Sequence, residues 1–127
     1  MISCKERNIL IVDDEPAIRN ILSRIISGKG HQTHTVPDGK AALAELDEKA
    51  YDLLIVDLKM FGLSGMKLYE TLNKERPDTA NKIIFITGDT MTEETNDFLT
   101  SSGRPYLAKP FRPDEIIDVV EKELAAK

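Results

Sequence analysis

The chain has 127 residues and a mass of 14.2 kDa, enough to bury one core and too few for two, so a multidomain enzyme is not expected and residues 1–127 read as one domain. Hydrophobic residues make up 41% and charged residues 31%, which excludes a disordered tail or a low-complexity polymer. With 17 Lys plus Arg against 22 Asp plus Glu, the net charge of −5 weighs against direct capture of nucleic acid or an anionic membrane. Cys4 is the only cysteine, so neither an intrachain disulfide nor a cysteine zinc cluster is possible, and a reducing, cytoplasmic setting is expected. The apolar runs are too short to span a membrane, and the opening residues MISCKERN lack the apolar stretch of a secretory signal.

In chain order, NILIVD at 8–13 is a short aliphatic run ending in acid, the pattern of a buried parallel strand. Behind Pro16, the residues Ile18, Ile21, Leu22, Ile25 and Ile26 form one helical stripe that should stop near Gly28 to Gly30. HQTHTV at 31–36 is more polar and suits an edge strand. The Asp38-Gly39 turn opens a helix from about Lys40 to Glu48, and YDLLIVD at 51–57 is a second buried run ending in acid. A third helix runs from about Ser64 to Glu75, ended by Pro77. KIIFIT at 82–87 repeats the strand pattern with a terminal threonine, and a fourth helix begins near Thr92, where Glu93 and Glu94 complement the helix dipole. PYLAKP at 105–110 is a shorter strand ending in lysine, before a last helix from Pro113 with Ile116, Ile117, Val120 and Leu124 on one stripe.

Five strands alternating with five helices imply an α/β fold, a doubly wound five-stranded parallel sheet with right-handed crossovers. All strand ends then lie on one edge, at Asp13, Val36, Asp57, Thr87 and Lys109, where ligands of such sheets bind. Asp13, Asp14 and Asp57 would sit close together, and two unit charges 4 Å apart repel by roughly 4 kcal/mol at an effective dielectric of 20. A hard cation relieves that repulsion, and Mg²⁺, which takes one or two carboxylates and keeps several waters, fits a surface cleft better than Ca²⁺. His31 and His34 fall on the edge-strand segment, so transition-metal binding is not expected. With Mg²⁺ and the Lys109 ammonium neutralising the transferring oxygens, Asp57 is the best placed nucleophile toward phosphorus, and Thr87 could donate its hydroxyl.

VDDE at 12–15, VDLKM at 56–60, ITG at 86–88 and YLAKPF at 106–111 resemble the receiver domains of two-component response regulators, over essentially the whole chain. The resemblance implies a flavodoxin-like sheet of order 2-1-3-4-5. It implies Asp57 as phosphoacceptor, Asp13 and Asp14 as metal-binding acids, Thr87 as switch hydroxyl and Lys109 as phosphate-contacting lysine. The backbone carbonyl of Lys59 would complete the metal shell, Tyr106 would be an aromatic switch, and Lys109-Pro110 would be cis. Implied partners are a sensor histidine kinase or histidine phosphotransfer domain, which donates the phosphoryl group, and an output protein or attached output domain that reads the surface of the fourth helix, fifth strand and fifth helix. The protein would catalyse only its own phosphorylation and dephosphorylation.

Phe61 departs from the family pattern where proline is common, and Ser102 to Pro105 departs from the usual Gly-Ala pair, Pro105 also removing a strand donor. With Gly88-Asp89-Thr90, that segment is similar to receivers attached to hybrid histidine kinases. Lys59 and Asp89, each two residues past an expected site residue, should pair across the cleft mouth and restrict the hydrolytic water. Two other functions stay open: a pseudo-receiver that serves only as an interaction module, and a Mg²⁺-dependent aspartyl-phosphate phosphohydrolase, whose paired-acid pattern Asp13 and Glu15 formally satisfy. A flavin or dinucleotide carrier is disfavoured because the first turn, Asp-Asp-Glu-Pro, repels phosphate.

Overall fold

The computed structural model describes residues 7–60, 63–88 and 92–125. Its strands are β1 (Asn8–Val12), β2 (Gln32–Val36), β3 (Leu53–Asp57), β4 (Ile83–Thr87) and β5 (Tyr106–Ala108). They form one all-parallel sheet of order β2-β1-β3-β4-β5, with register running from Val12 against Val56 through Asp57 against Ile86 to Thr87 against Ala108. The helices are α1 (Pro16–Ser27), α2 (Gly39–Glu48), α3 (Gly65–Glu75), α4 (Pro77–Ala80), α5 (Glu93–Ser102) and α6 (Pro113–Ala125).

Side chains of a strand alternate between faces, and the sequence supplies apolar residues at both parities. Leu10, Val12, Leu54, Val56, Ile83 and Phe85 pack against Ala42 and Leu46 of α2, Leu68 and Leu72 of α3 and Leu99 of α5. Their neighbours Ile9, Ile11, Leu53, Ile55, Ile84 and Ile86 pack on the other face against Leu22 and Ile26 of α1 and Ile116, Val120 and Leu124 of α6. The first core carries an edge-to-face trio, Tyr69, Phe85 and Phe98, with ring centroids 5.4–6.0 Å apart. The second is largely aliphatic. Each large side chain so buried contributes roughly 1.5–3 kcal/mol, and these two layers hold the strand ends in place.

Helix starts follow local chemistry. Asp38, Ser64 and Thr92 each accept a hydrogen bond from the backbone two or three residues inside their helix, on Ala41 N, Lys67 N and Thr95 N. At the carboxyl end of α5, Gly103 takes φ +68°, a left-handed cap that glycine adopts without strain.

Two expectations change. Six helices are described rather than five, because Pro77 does not merely end α3. Its fixed φ suits a first helical position, so after the break at Arg76 the chain makes one more turn, α4. At Pro105, the lost strand donor is replaced: the Arg104 guanidinium Nε donates to Ile83 O at 2.9 Å, the carbonyl a backbone N–H at 105 would have served, and the same side chain pairs with Glu123 of α6. Cys4, Phe61, Asp89 and Thr90 lie outside the described residues, and with Asp89 the expected pairing across the cleft mouth.

Candidate functional site

Three interior strands deliver buried polar groups to the carboxyl edge of the sheet: Asp13 just after β1 is 1% exposed, Asp57 closing β3 is 4%, and Thr87 closing β4 is 2%. Backbone bonds extend the ladder past the strand ends and set these positions. Asp13 N donates to Val36 O at 3.2 Å, Leu58 N to Ile86 O at 2.9 Å, and Lys109 N to Thr87 O at 2.7 Å. The last bond ties Lys109 to Thr87 although β5 itself ends at Ala108. The Lys109-Pro110 peptide is cis.

Lys109 Nζ then reaches back over the edge, standing 3.6 Å from Asp57 Oδ2, 3.4 Å from Asp13 Oδ2 and 2.8 Å from Glu15 Oε1. Asp14 is half-buried beside them, and oxygens of Asp13, Asp14, Glu15 and Asp57 all lie within 4.8 Å of one another. One ammonium is a poor match for this much negative charge. Burial, then the nearby Asp13 charge, push the Asp57 carboxyl up to about 6, while Lys109 and the Lys59 N–H oppose the shift. Burial likewise raises Asp13, against the hydrogen bond it accepts from Glu15 N. For Lys109, burial works against its charge, but the bond to Glu15 and the charges of Asp57 and Asp13 outweigh it and hold its pKa above the ordinary lysine value.

The donor set fits a hard divalent cation. All four groups are carboxylates, the oxygen ligands such ions prefer, and Asp13 Oδ2 is buried without a hydrogen-bond partner. Lys109 Nζ, 3.4 Å away and shared with Asp57 and Glu15, meets that oxygen only at ion-pair range, and a buried carboxylate oxygen so weakly matched is costly.

Sequence reasoning did not give three residues the contacts by which they shape this edge. Arg19 of α1 donates from Nη1 to Asp13 O at 2.7 Å and so orients the acidic turn. Glu15 reaches Lys109 across 94 positions of sequence, which no local pattern reports. At Gly65, an added Cβ would lie 2.4 Å from Asp57 O, so α3 can press against the end of β3 only with glycine there, and Gly65 N donates to Leu58 O at 3.0 Å. Its signal was available: glycine directly after a Ser N-cap, where most residues form helix better, marks a close backbone approach.

Tyr106, first residue of β5, is 44% exposed, so its ring points outward. Alternation places it on the same sheet face as its partner Phe85 and as Thr87, with the small Ala108 beside Thr87. Lys59 follows the end of β3, its N–H donating to Asp57 Oδ1 at 3.3 Å. The two histidines stand apart: His31 faces Glu121 at 3.2 Å and His34 faces Glu45 at 3.5 Å.

Fold and strand-end acids place the chain among the doubly wound α/β proteins that work at the carboxyl edge of a parallel sheet. Within that class, the model of the response regulator receiver domain matches residues 9–121, and the chain belongs to that family. The DNA-binding response regulator MtrA of Mycolicibacterium smegmatis is 32% identical over 118 residues, 93% of this chain and 50% of that protein. The chain thus spans about half the length of such relatives. The response regulator TrrA of Thermotoga maritima, solved in complex with Mg²⁺-BeF, is 32% identical with TM-score 0.80, covering 92% of this chain and 98% of that one. A CheY-like receiver domain protein of Methanospirillum hungatei is 27% identical with TM-score 0.86, covering 96% of each. Receiver domains are signalling modules of two-component systems and interact with histidine kinases and output domains. Among the described residues, no helix is long and apolar enough to cross a membrane.

Proposed function

We infer that this receiver is a Mg²⁺-dependent phosphoacceptor that takes a phosphoryl group from a phosphohistidine of a partner kinase or phosphotransfer domain onto Asp57. The observation that carries the reading is the convergence of Asp13 and Asp57, both buried, on Lys109 at the ends of β1, β3 and β5, with Asp13 Oδ2 lacking a hydrogen bond. Asp13, Asp14, Asp57 and the carbonyl of Lys59 would hold the ion. When bound, Mg²⁺ supplies positive charge for the transferring oxygens and favours ionised Asp57.

The chain's own groups do the rest. An Asp57 carboxylate oxygen forms the new bond to phosphorus as the phosphorus–nitrogen bond of the phosphohistidine breaks, its electron pair returning to the imidazole. Lys109 neutralises charge on a phosphoryl oxygen, and the Thr87 hydroxyl donates to another. Movement of Thr87 leaves room on its sheet face, and the outward Tyr106 ring turns in beside the small Ala108. That shift reshapes the α5, β5 and α6 surface for an output protein or attached output domain. The phosphoryl group favours the shifted conformer only by the difference in its contacts with the two states.

Residues 1–127 act as one receiver unit in the cytoplasm on this reading, and the net charge of −5 argues against direct nucleic-acid contact by this segment. The DNA-binding role of MtrA belongs to a protein about twice this length. The test is intact mass after incubation with acetyl phosphate and Mg²⁺, beside Asp57→Asn and a chelator control. One phosphoryl adduct, absent from both controls, is expected. No adduct would overturn the reading in favour of a phosphorylation-independent interaction module, and steady release of phosphate from other esters would favour a phosphohydrolase.

A further inference from the structure

Glu15 is the one exposed member of the acid cluster, its side chain 59% open to water, yet it makes the shortest contact with Lys109. The ammonium donates to Glu15 Oε1 at 2.8 Å, while Asp13 Oδ2 and Asp57 Oδ2 stand farther off at 3.4 and 3.6 Å. The backbone explains the placement. Glu15 N donates to Asp13 Oδ1 at 2.9 Å, Arg19 fixes Asp13 O, and Pro16 opens α1 immediately afterwards, so the Glu15 side chain leaves the turn over the cleft.

Lys109 aims its shortest hydrogen bond at Glu15, so a phosphoryl oxygen that draws the ammonium in competes with Glu15 for it, and the charge of Glu15 opposes an anion arriving there. We propose that Glu15 is a displaceable counterion, which holds Lys109 in the resting protein and competes with the phosphoryl group for it, so that it slows phosphorylation. The proposal rests on the reading of Asp57 as phosphoacceptor and adds a regulator of that site. Exposure suits Glu15 to the part: its carboxylate can swing into water at little desolvation cost, which buried Asp13 and Asp57 cannot do.

Glu15→Gln and Glu15→Ala test it, with Glu48→Gln, exposed at the far edge of the sheet, as a control for net charge. At saturating Mg²⁺, both Glu15 variants should form the acetyl-phosphate adduct roughly two- to fivefold faster, the range of an exposed ion pair. Half-saturation by beryllofluoride should fall by a similar factor, and Glu48→Gln should match the wild type. Equal or slower loading of both variants, with a wild-type adduct present, overturns this proposal alone. A wild type that takes no adduct overturns it together with the phosphoacceptor reading. The pairing is also measured without any donor, by a double-mutant cycle of Glu15→Gln with Lys109→Met in urea unfolding. A coupling indistinguishable from zero overturns the proposal even where loading is faster.

Discussion

β3 and β5 both end at the acidic edge, but they are held very differently. All five residues of β3 are buried between two helix layers, whereas β5 has three residues, of which Tyr106 and Ala108 are exposed. Local stability follows buried apolar contact, so the strand carrying Asp57 belongs to the most stable part of the molecule and the strand leading to Lys109 to a looser part. The site is thus a fixed acid wall facing a cation on a lighter mount. At its lower end that mount is fastened by Arg104, which bonds Ile83 O and pairs with Glu123.

The largest effect that sharpens this contrast is Ile55→Ala against Leu107→Ala. Ile55 is 1% exposed, and its truncation should cost about 2–5 kcal/mol in urea unfolding. Leu107 is only half-buried, and its truncation should cost less than half as much while speeding hydrogen exchange at β5 before β3. Equal costs would show that the two strands form one cooperative unit.

Next in size is the ionisation of Asp57 in the metal-free protein. Its carboxyl is raised from 3.8 to about 6, so the group's stabilising contribution is complete below pH 3.8 and is lost as pH rises through 6. Carrying the charge at pH 7 costs on the order of 3 kcal/mol. Asp57→Asn should therefore match the wild type near pH 4 and exceed its stability increasingly up to pH 7. Asp13 is raised first by burial, a cause that Asp57→Asn leaves in place, and Lys109 stays charged throughout this window. Adding Mg²⁺ at pH 7 should stabilise the wild type more than Asp57→Asn. Thermal unfolding at several pH values with a chelator checks all of this, and a gap that does not widen with pH would mean the acid wall carries little strain.

Gly65→Ala comes third, at about 1–3 kcal/mol, because its methyl would lie 2.4 Å from Asp57 O and must push α3 off the end of β3. Adduct formation should slow more than stability falls, since Asp57 moves with its strand end. A stability loss without slower loading would separate the α3 contact from the site.

The same contrast explains what could be read from the sequence. The wall was legible: apolar runs of four residues between helical stripes leave little choice but buried parallel strands, and runs followed by Asp13, Asp57 and Thr87 place those residues on one edge. The mount was legible only in part. Pro105 announced a missing donor, but its replacement by Arg104 depends on a carbonyl 21 residues away. The turn at Pro77–Ala80 was hidden because proline both ends and starts helices. The contacts of Glu15 and Arg19 could not be read from sequence, since tertiary placement sets their partners.

The smallest expected effect is at Tyr106, and it bears most directly on whether the flank moves. At 44% exposure, Tyr106→Ala should change the stability of the unliganded protein by only about 0.5 kcal/mol. The chain has three tyrosines and no tryptophan. Tyr51 is buried and Tyr69 lies in the aromatic trio, so acrylamide should quench chiefly Tyr106. Mg²⁺ and beryllofluoride should then lower the quenchable fraction in the wild type and leave it unchanged in Tyr106→Ala. Quenching that beryllofluoride leaves untouched in a wild type that binds it would mean the ring stays outward, and β5 would then be as fixed as β3 despite its exposure.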